Sequence, residues 1–108
     1  TDDMLIVRGV NIFPTQIEEV VLQNDKLSGI YQILLSREGL LDEVEVHCEL
    51  QINQADLPPP EVAAISNWLS HRIKSMVGIS TRVKVLPPDS IERSATGKAR
   101  RVIDRRPR

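Results

Sequence analysis

Between residues 43 and 51 the chain alternates without a break, with Val44, Val46, Cys48 and Leu50 set between Glu43, Glu45, His47, Glu49 and Gln51. Successive side chains of a strand point to opposite faces, so this run is a strand with one apolar and one wet face. A sheet built around it needs cover on one side only, which calls for helices or a second sheet packed there. Residues 30–36, largely aliphatic, make the natural partner strand. A turn near Glu38-Gly39 brings the two together as an antiparallel hairpin.

The cover is legible on either side of this hairpin. Pro14 pre-sets a helical φ, Thr15 to Glu18 has the spacing of a capping box, and Ile17, Val20 and Val21 form an apolar stripe. After the stiff connector Leu57-Pro58-Pro59-Pro60, residues Val62, Ile65, Leu69, Ile73 and Met76 recur at helical spacing, and Trp68 extends their face. Gly78 supplies a stop. Met4 to Val7 reads as a first strand ended by Arg8-Gly9, and Val83 and Val85 mark a last one before Leu86-Pro87-Pro88. The expected fold class is α+β, a β-α-β-β-α-β ferredoxin-like sandwich, with a short basic helix at the C-terminus.

At 108 residues this is one domain, and 41% hydrophobic with 27% charged residues is a globular composition. No apolar run reaches the roughly 18 residues of a membrane span and the N-terminus lacks a signal-peptide pattern, so no membrane and a cytoplasmic location are expected. Cys48 is the only cysteine and His47 and His71 the only histidines, which leaves no zinc-ligand spacing and no expected metal. The net charge of −1 hides a division. Residues 1–92 carry 7 Lys and Arg against 14 Asp and Glu, and residues 93–108 carry 7 against Asp104 alone. Such a basic tail meets phosphate or simply water.

Two segments concentrate polar chemistry. In Arg93-Ser94-Ala95-Thr96-Gly97-Lys98-Ala99-Arg100-Arg101 one lysine follows a glycine in a polar loop. It is not a phosphate-binding P-loop, because Glu92 and Ala99 stand where that pattern needs Gly and Ser or Thr. A mobile ammonium beside hydroxyls remains, suited to offsetting charge where a carboxylate meets a phosphate. The second segment is Asp2-Asp3-Met4-Leu5-Ile6-Val7-Arg8-Gly9-Val10-Asn11-Ile12, whose Arg8-Gly9 on its own is a strand-ending turn. Cys48, on the apolar side of its strand, reads as a core residue rather than a nucleophile. Tyr31 packs or lines a contact surface, and Arg100 and Arg101 face phosphate, water or another domain.

Taken together the two segments resemble the acyl-adenylate-forming superfamily of acyl-CoA synthetases, luciferases and nonribosomal adenylation domains. The opening Thr1-Asp2-Asp3, Arg8-Gly9-Val10-Asn11-Ile12 and Ile17-Glu18 resemble its hinge and following loop, and Ser94-Ala95-Thr96-Gly97-Lys98 resembles its C-terminal lysine motif. The run from Asp3 through Pro14 to Glu18, together with Tyr31-Gln32 and residues 99–104, is most similar to the phenylacetate-CoA ligase branch. Ile6 stands where many other branches carry lysine. About 96 residues separate Asp2 from Lys98, and the resemblance spans the whole chain.

The resemblance implies that residues 1–108 are the small C-terminal lid of a carboxylate–CoA ligase whose N-terminal domain, absent here, holds ATP and the acid. Lys98 is then the adenylation lysine, with Thr96 and Gly97 near the nucleotide and Asp2 as the hinge. Arg8, Gly9, Val10 and Asn11 form the loop at the CoA channel. ATP and CoA are substrates, Mg²⁺ belongs to the absent domain, and this domain alone binds no cofactor and has no ligase activity. Partners are the chain's own N-terminal domain, an aryl or other carboxylic acid, ATP and CoA. The alternative is a stand-alone ferredoxin-like module that binds nucleic acid or regulates, disfavoured by a content of three aromatic residues, Phe13, Tyr31 and Trp68.

Overall fold

The expected hairpin is the largest element pair of the chain. In the computed structural model, which describes residues 3–93 and 100–107, strands Leu27–Glu38 and Leu41–Leu50 pair antiparallel through a tight turn at Gly39 and Leu40. The elements in chain order are β1 (Leu5–Val7), β2 (Val10–Ile12), α1 (Pro14–Leu22), β3 (Leu27–Glu38), β4 (Leu41–Leu50), α2 (Pro59–Val77), β5 (Arg82–Leu86) and β6 (Val102–Asp104). A single 3-10 turn (Ile52–Gln54) precedes α2.

The main sheet has the order β5-β4-β3-β6, with β5 parallel to β4 and β6 parallel to β3. Both helices lie on one face, over Tyr31, Ile33, Leu35, Val44, Val46 and Cys48, and with Ile17, Val20, Val21, Ile65, Leu69 and Ile73 they make one core. Gly78 ends α2 in the left-handed conformation at φ 88°, as its position implies. At the start of α1 the cap is Gln16 rather than Thr15: the Phe13 amide donates to Gln16 Oε1 at 2.9 Å. Val77, one residue on from Met76, completes the buried stripe of α2, and Met76 stays at the surface.

The class is α+β as expected, but three placements differ from the sequence reading. The opening strand does not join the main sheet; it pairs with β2 in a separate two-stranded hairpin. The place beside β3 goes instead to Val102–Asp104, where a basic helix was expected. Val102 packs on the core, and an edge strand beside β3 satisfies backbone groups that a three-residue stretch could not pair within a helix. The third difference is Glu49. Its period-two position is the outer face, yet it is 1% exposed, because the 87–93 segment returns across that face and its Ile91 amide binds the carboxylate.

Asp42 joins the small hairpin to the large one. Its carboxylate accepts from Arg37 Nε at 2.7 Å and Arg106 Nη1 at 2.9 Å, and Arg106 Nη1 also donates to the Ile6 carbonyl of β1 at 2.7 Å. Hydrogen bonds from these two guanidinium groups hold Asp42 below its ordinary value of 3.8. A carboxyl lowered on folding contributes stability above its unfolded pKa and loses it as pH falls through the folded one. Asp42→Asn is therefore expected to lower the melting temperature at pH 7, with the gap from the parent closing as pH is taken below about 3.8. A gap that stays constant to pH 2 would show that the charge on Asp42 contributes nothing.

Candidate functional site

Arg8 and Gly9 are the two central residues of the β1–β2 turn, which Val7 and Val10 close as a cross-strand pair. Their φ angles, 51° and 76°, are both in the left-handed region, as a two-residue hairpin turn of the primed type demands. Glycine adopts this freely and arginine does not. Arg8 is held there by its side chain: Nε donates to the Asp42 carbonyl at 2.8 Å and Nη2 pairs with Glu43 at 3.2 Å. No heavy atom lies within 4 Å of where a Gly9 Cβ would be, so that face of the turn is open to an incoming group. Val10 is half-buried and Asn11 exposed on β2. An open groove of about 520 Å³, lined in part by Ile6, Gly9, Leu40 and Leu41, flanks the turn.

Lys98, Thr96, Gly97 and Asp2 lie outside the described residues, but the chain on either side of the lysine segment is described. Arg93 pairs with Glu49 and with Asp89, the latter at 3.4 Å. On the far side the Arg101 carbonyl accepts from the Ile33 amide at 2.7 Å, while its guanidinium pairs with Glu18 and stacks 5.3 Å from the Tyr31 ring centre. Tyr31 is 1% exposed, so it packs, with burial pushing its phenol up. Arg101 thus spends its charge within the domain. Beside it, Asp3, Leu5, Pro14, Thr15, Tyr31 and Val102 line a groove of about 510 Å³.

Both flanks of the lysine segment sit at the base of the β3–β4 hairpin, near Tyr31 and Glu49. The Arg8-Gly9 turn is held toward the tip, at Asp42 and Glu43, where Arg37 pairs with Asp42. The six residue steps of strand from Tyr31 to Arg37 span roughly 20 Å. The Arg8-Gly9 turn is therefore kept apart from the described flanks of the lysine segment. Sequence reasoning missed Glu49, which alternation put in water, and Glu18, whose link to Arg101 crosses 83 positions. The one local signal was the like-charge spacing of Glu43, Glu45 and Glu49, which does not say which carboxylate is covered.

Cys48 is in the core and burial pushes its thiol up to about 12, which leaves it protonated and unreactive near neutral pH. Among the described residues no three His, Cys, Asp or Glu side chains are grouped to hold a metal ion, and no helix is long and apolar enough to cross a membrane.

Comparison with known proteins places this geometry. Residues 9–106 match the AMP-binding enzyme C-terminal domain family. The chain is 47% identical over 106 residues to the phenylacetate-coenzyme A ligase of Escherichia coli K12, covering 98% of itself and 24% of that protein. It spans about a quarter of the length of the curated relatives it matches. A crystallised domain of phenylacetate-coenzyme A ligase from Bacteroides vulgatus superposes with a TM-score of 0.85 at 34% identity, covering 98% of this chain and 95% of that one. The 2-hydroxyisobutyryl-CoA ligase superposes at 0.85 and 32% identity in its thioesterification state with 2-HIB-AMP and CoA, over 97% of this chain and 22% of that one. In a postadenylation state it does so at 0.78 and 31%, over 94% and 21%. The chain belongs to the family of C-terminal domains of AMP-binding enzymes.

Proposed function

We propose that residues 1–108 are the mobile lid of an ATP-dependent carboxylate–CoA ligase acting on phenylacetate or a related acid. The observation that supports this reading is that the Arg8-Gly9 turn lies toward the tip of the β3–β4 hairpin, while the described residues on either side of the lysine segment, Arg93 and Arg101, are held nearer its base. One docking of the domain on a partner that binds ATP and acid does not bring both ends to the same point, whereas a rotation about a hinge at Asp2 presents them in turn. A relative that superposes on this chain in two states of its reaction supports the same reading.

In the first orientation Lys98 meets the carboxylate and the α-phosphate. As a carboxylate oxygen bonds to the α-phosphorus and pyrophosphate leaves, the ammonium offsets the charge that builds on the phosphoryl oxygens, with Thr96 and Gly97 beside the nucleotide. In the second orientation the Arg8-Gly9-Val10-Asn11 turn faces the acyl adenylate. The CoA sulfur bonds to the acyl carbon and AMP leaves. The open side of Gly9 lets a thin pantetheine chain pass close to the backbone, and closure keeps water from the adenylate. Mg²⁺ that accompanies ATP is assigned to the N-terminal domain, and the chain alone turns over no substrate. ATP and CoA as co-substrates make the cytoplasm the compartment of this reading.

A nucleic-acid-binding reading needs rings on the open face of the sheet. Tyr31 instead lies on the covered face, Phe13 caps α1 and Trp68 is on α2, while the outer face presents Gln32, Leu34, Glu45 and His47.

In the ligase that carries this domain, Lys98→Ala is expected to lower acid-dependent ATP–pyrophosphate exchange by about 10²–10³-fold, while thioester formation from pre-made acyl adenylate continues. Exchange at the parent rate would overturn the role of Lys98. Gly9→Ala is expected to do the reverse, slowing the thioester step with exchange unchanged, because the methyl group enters the open face of the turn. If both half-reactions proceed as in the parent, the turn does not line the channel.

A further inference from the structure

Among the described residues Glu49 is the one charged side chain in the buried set, at 1% exposure. Two of its partners, Ile91 and Arg93, belong to one short stretch of chain, and the third, Ser28, lies on β3. Oε2 accepts from the Ile91 amide at 2.9 Å; Oε1 pairs with Arg93 Nη2 and lies 3.5 Å from Ser28 Oγ. Arg93 in turn donates from Nη1 to the Ile91 carbonyl at 3.1 Å and pairs with Asp89, which holds a φ of 59°. Opposite Glu49 the pairing of β3 slips: Leu27 faces Leu50 but Tyr31 faces Cys48, and Gly29 at φ 91° takes up the extra length. That bulge bends β3 locally and puts the Ser28 hydroxyl beside the carboxylate.

A pair of this kind is a poor way to gain stability alone. Removing a carboxylate from water is costly, and well-packed apolar residues in place of a buried pair often hold a fold as well or better. What it provides and an apolar pair does not is direction: a carboxylate with one oxygen on a backbone N–H and the other on a guanidinium admits one path for the chain past it. That path ends at Arg93, five residues before Lys98. On the far side the segment is secured again at Arg101 by Ile33, Glu18 and Tyr31.

We propose that Glu49 is a positioning residue for Lys98: with Arg93 it fixes the point from which the chain runs on toward the lysine. This rests on the adenylation role of Lys98 proposed above. Displacing a reacting group by about 1 Å costs on the order of 10²-fold in rate, so loss of the anchor falls on one half-reaction only.

The test uses three variants of the ligase that carries this domain. Glu49→Gln removes the buried charge that Arg93 pairs with, leaving Arg93 its contacts to Asp89 and the Ile91 carbonyl, and the double replacement Glu49→Met with Arg93→Met removes the polar anchor while preserving apolar packing. Glu45→Gln, at a carboxylate of the same strand that pairs with His47 and Lys84, is the control. Both anchor variants are expected to lose about 10-fold to 100-fold in ATP–pyrophosphate exchange, with thioester formation from pre-made adenylate within about twofold of the parent. In the 108-residue chain, whose Bacteroides relative was crystallised as a separate domain, the Ile91 amide is expected to lose hydrogen-exchange protection while the amides of β4 keep theirs. Equal losses in both half-reactions, or full exchange activity in the double variant, would overturn the proposal. Lys98→Ala run alongside separates the causes: if it leaves pyrophosphate exchange intact, the adenylation role itself fails and Glu49 has no lysine to position.

Discussion

The ladder from Leu27↔Leu50 to Glu38↔Leu41 is the frame on which everything else is hung. Its inner face, with Tyr31, Ile33, Leu35, Val44, Val46 and Cys48 in register, offers a continuous apolar surface, and α1 and α2 bury their stripes against it. Each edge takes a parallel strand, β5 beside β4 and β6 beside β3. The hairpin is long for a domain of this size, with strands of 12 and 10 residues, and its length separates the Arg8-Gly9 turn from Arg93 at Glu49.

At the tip, Asp42 is bound by Arg37 and Arg106 and its carbonyl by Arg8, so the small β1–β2 hairpin moves with the large one. At the base, Glu49 and Arg93 on one side and Glu18, Tyr31 and Arg101 on the other hold the two flanks of the lysine segment. These are ionic contacts with fixed geometry, not extra core. Such contacts fix how the segments at each end leave the sheet. The apolar core supplies the stiffness, and the guanidinium–carboxylate pairs supply the pointing.

Much of this was legible in the residues. Period-two alternation marked β4 and the 3.6-residue stripe marked α2, because both are local consequences of burying one face. Pro14 and Gly78 marked helix ends for equally local reasons, a fixed φ in one case and a permitted positive φ in the other. Val102–Asp104 carries no local strand signal, since three residues have no period, and its identity as a strand depends on the free edge of β3, nearly 70 positions away. The burial of Glu49 is not legible locally, because alternation gives the face of a side chain and not what lies over it.

Sequence by itself determined the class, the two helices, the central hairpin and the resemblance to a C-terminal domain of adenylate-forming enzymes, which the family match over residues 9–106 bears out. Only the tertiary structure decided that the first strand pairs with its neighbour and not with the sheet, that β6 closes the edge, and that a carboxylate on the wet face becomes a buried anchor. The reason is physical. Propensity and periodicity are fixed by adjacent residues, whereas edge pairing and the burial of a charge depend on which distant segment arrives to satisfy it.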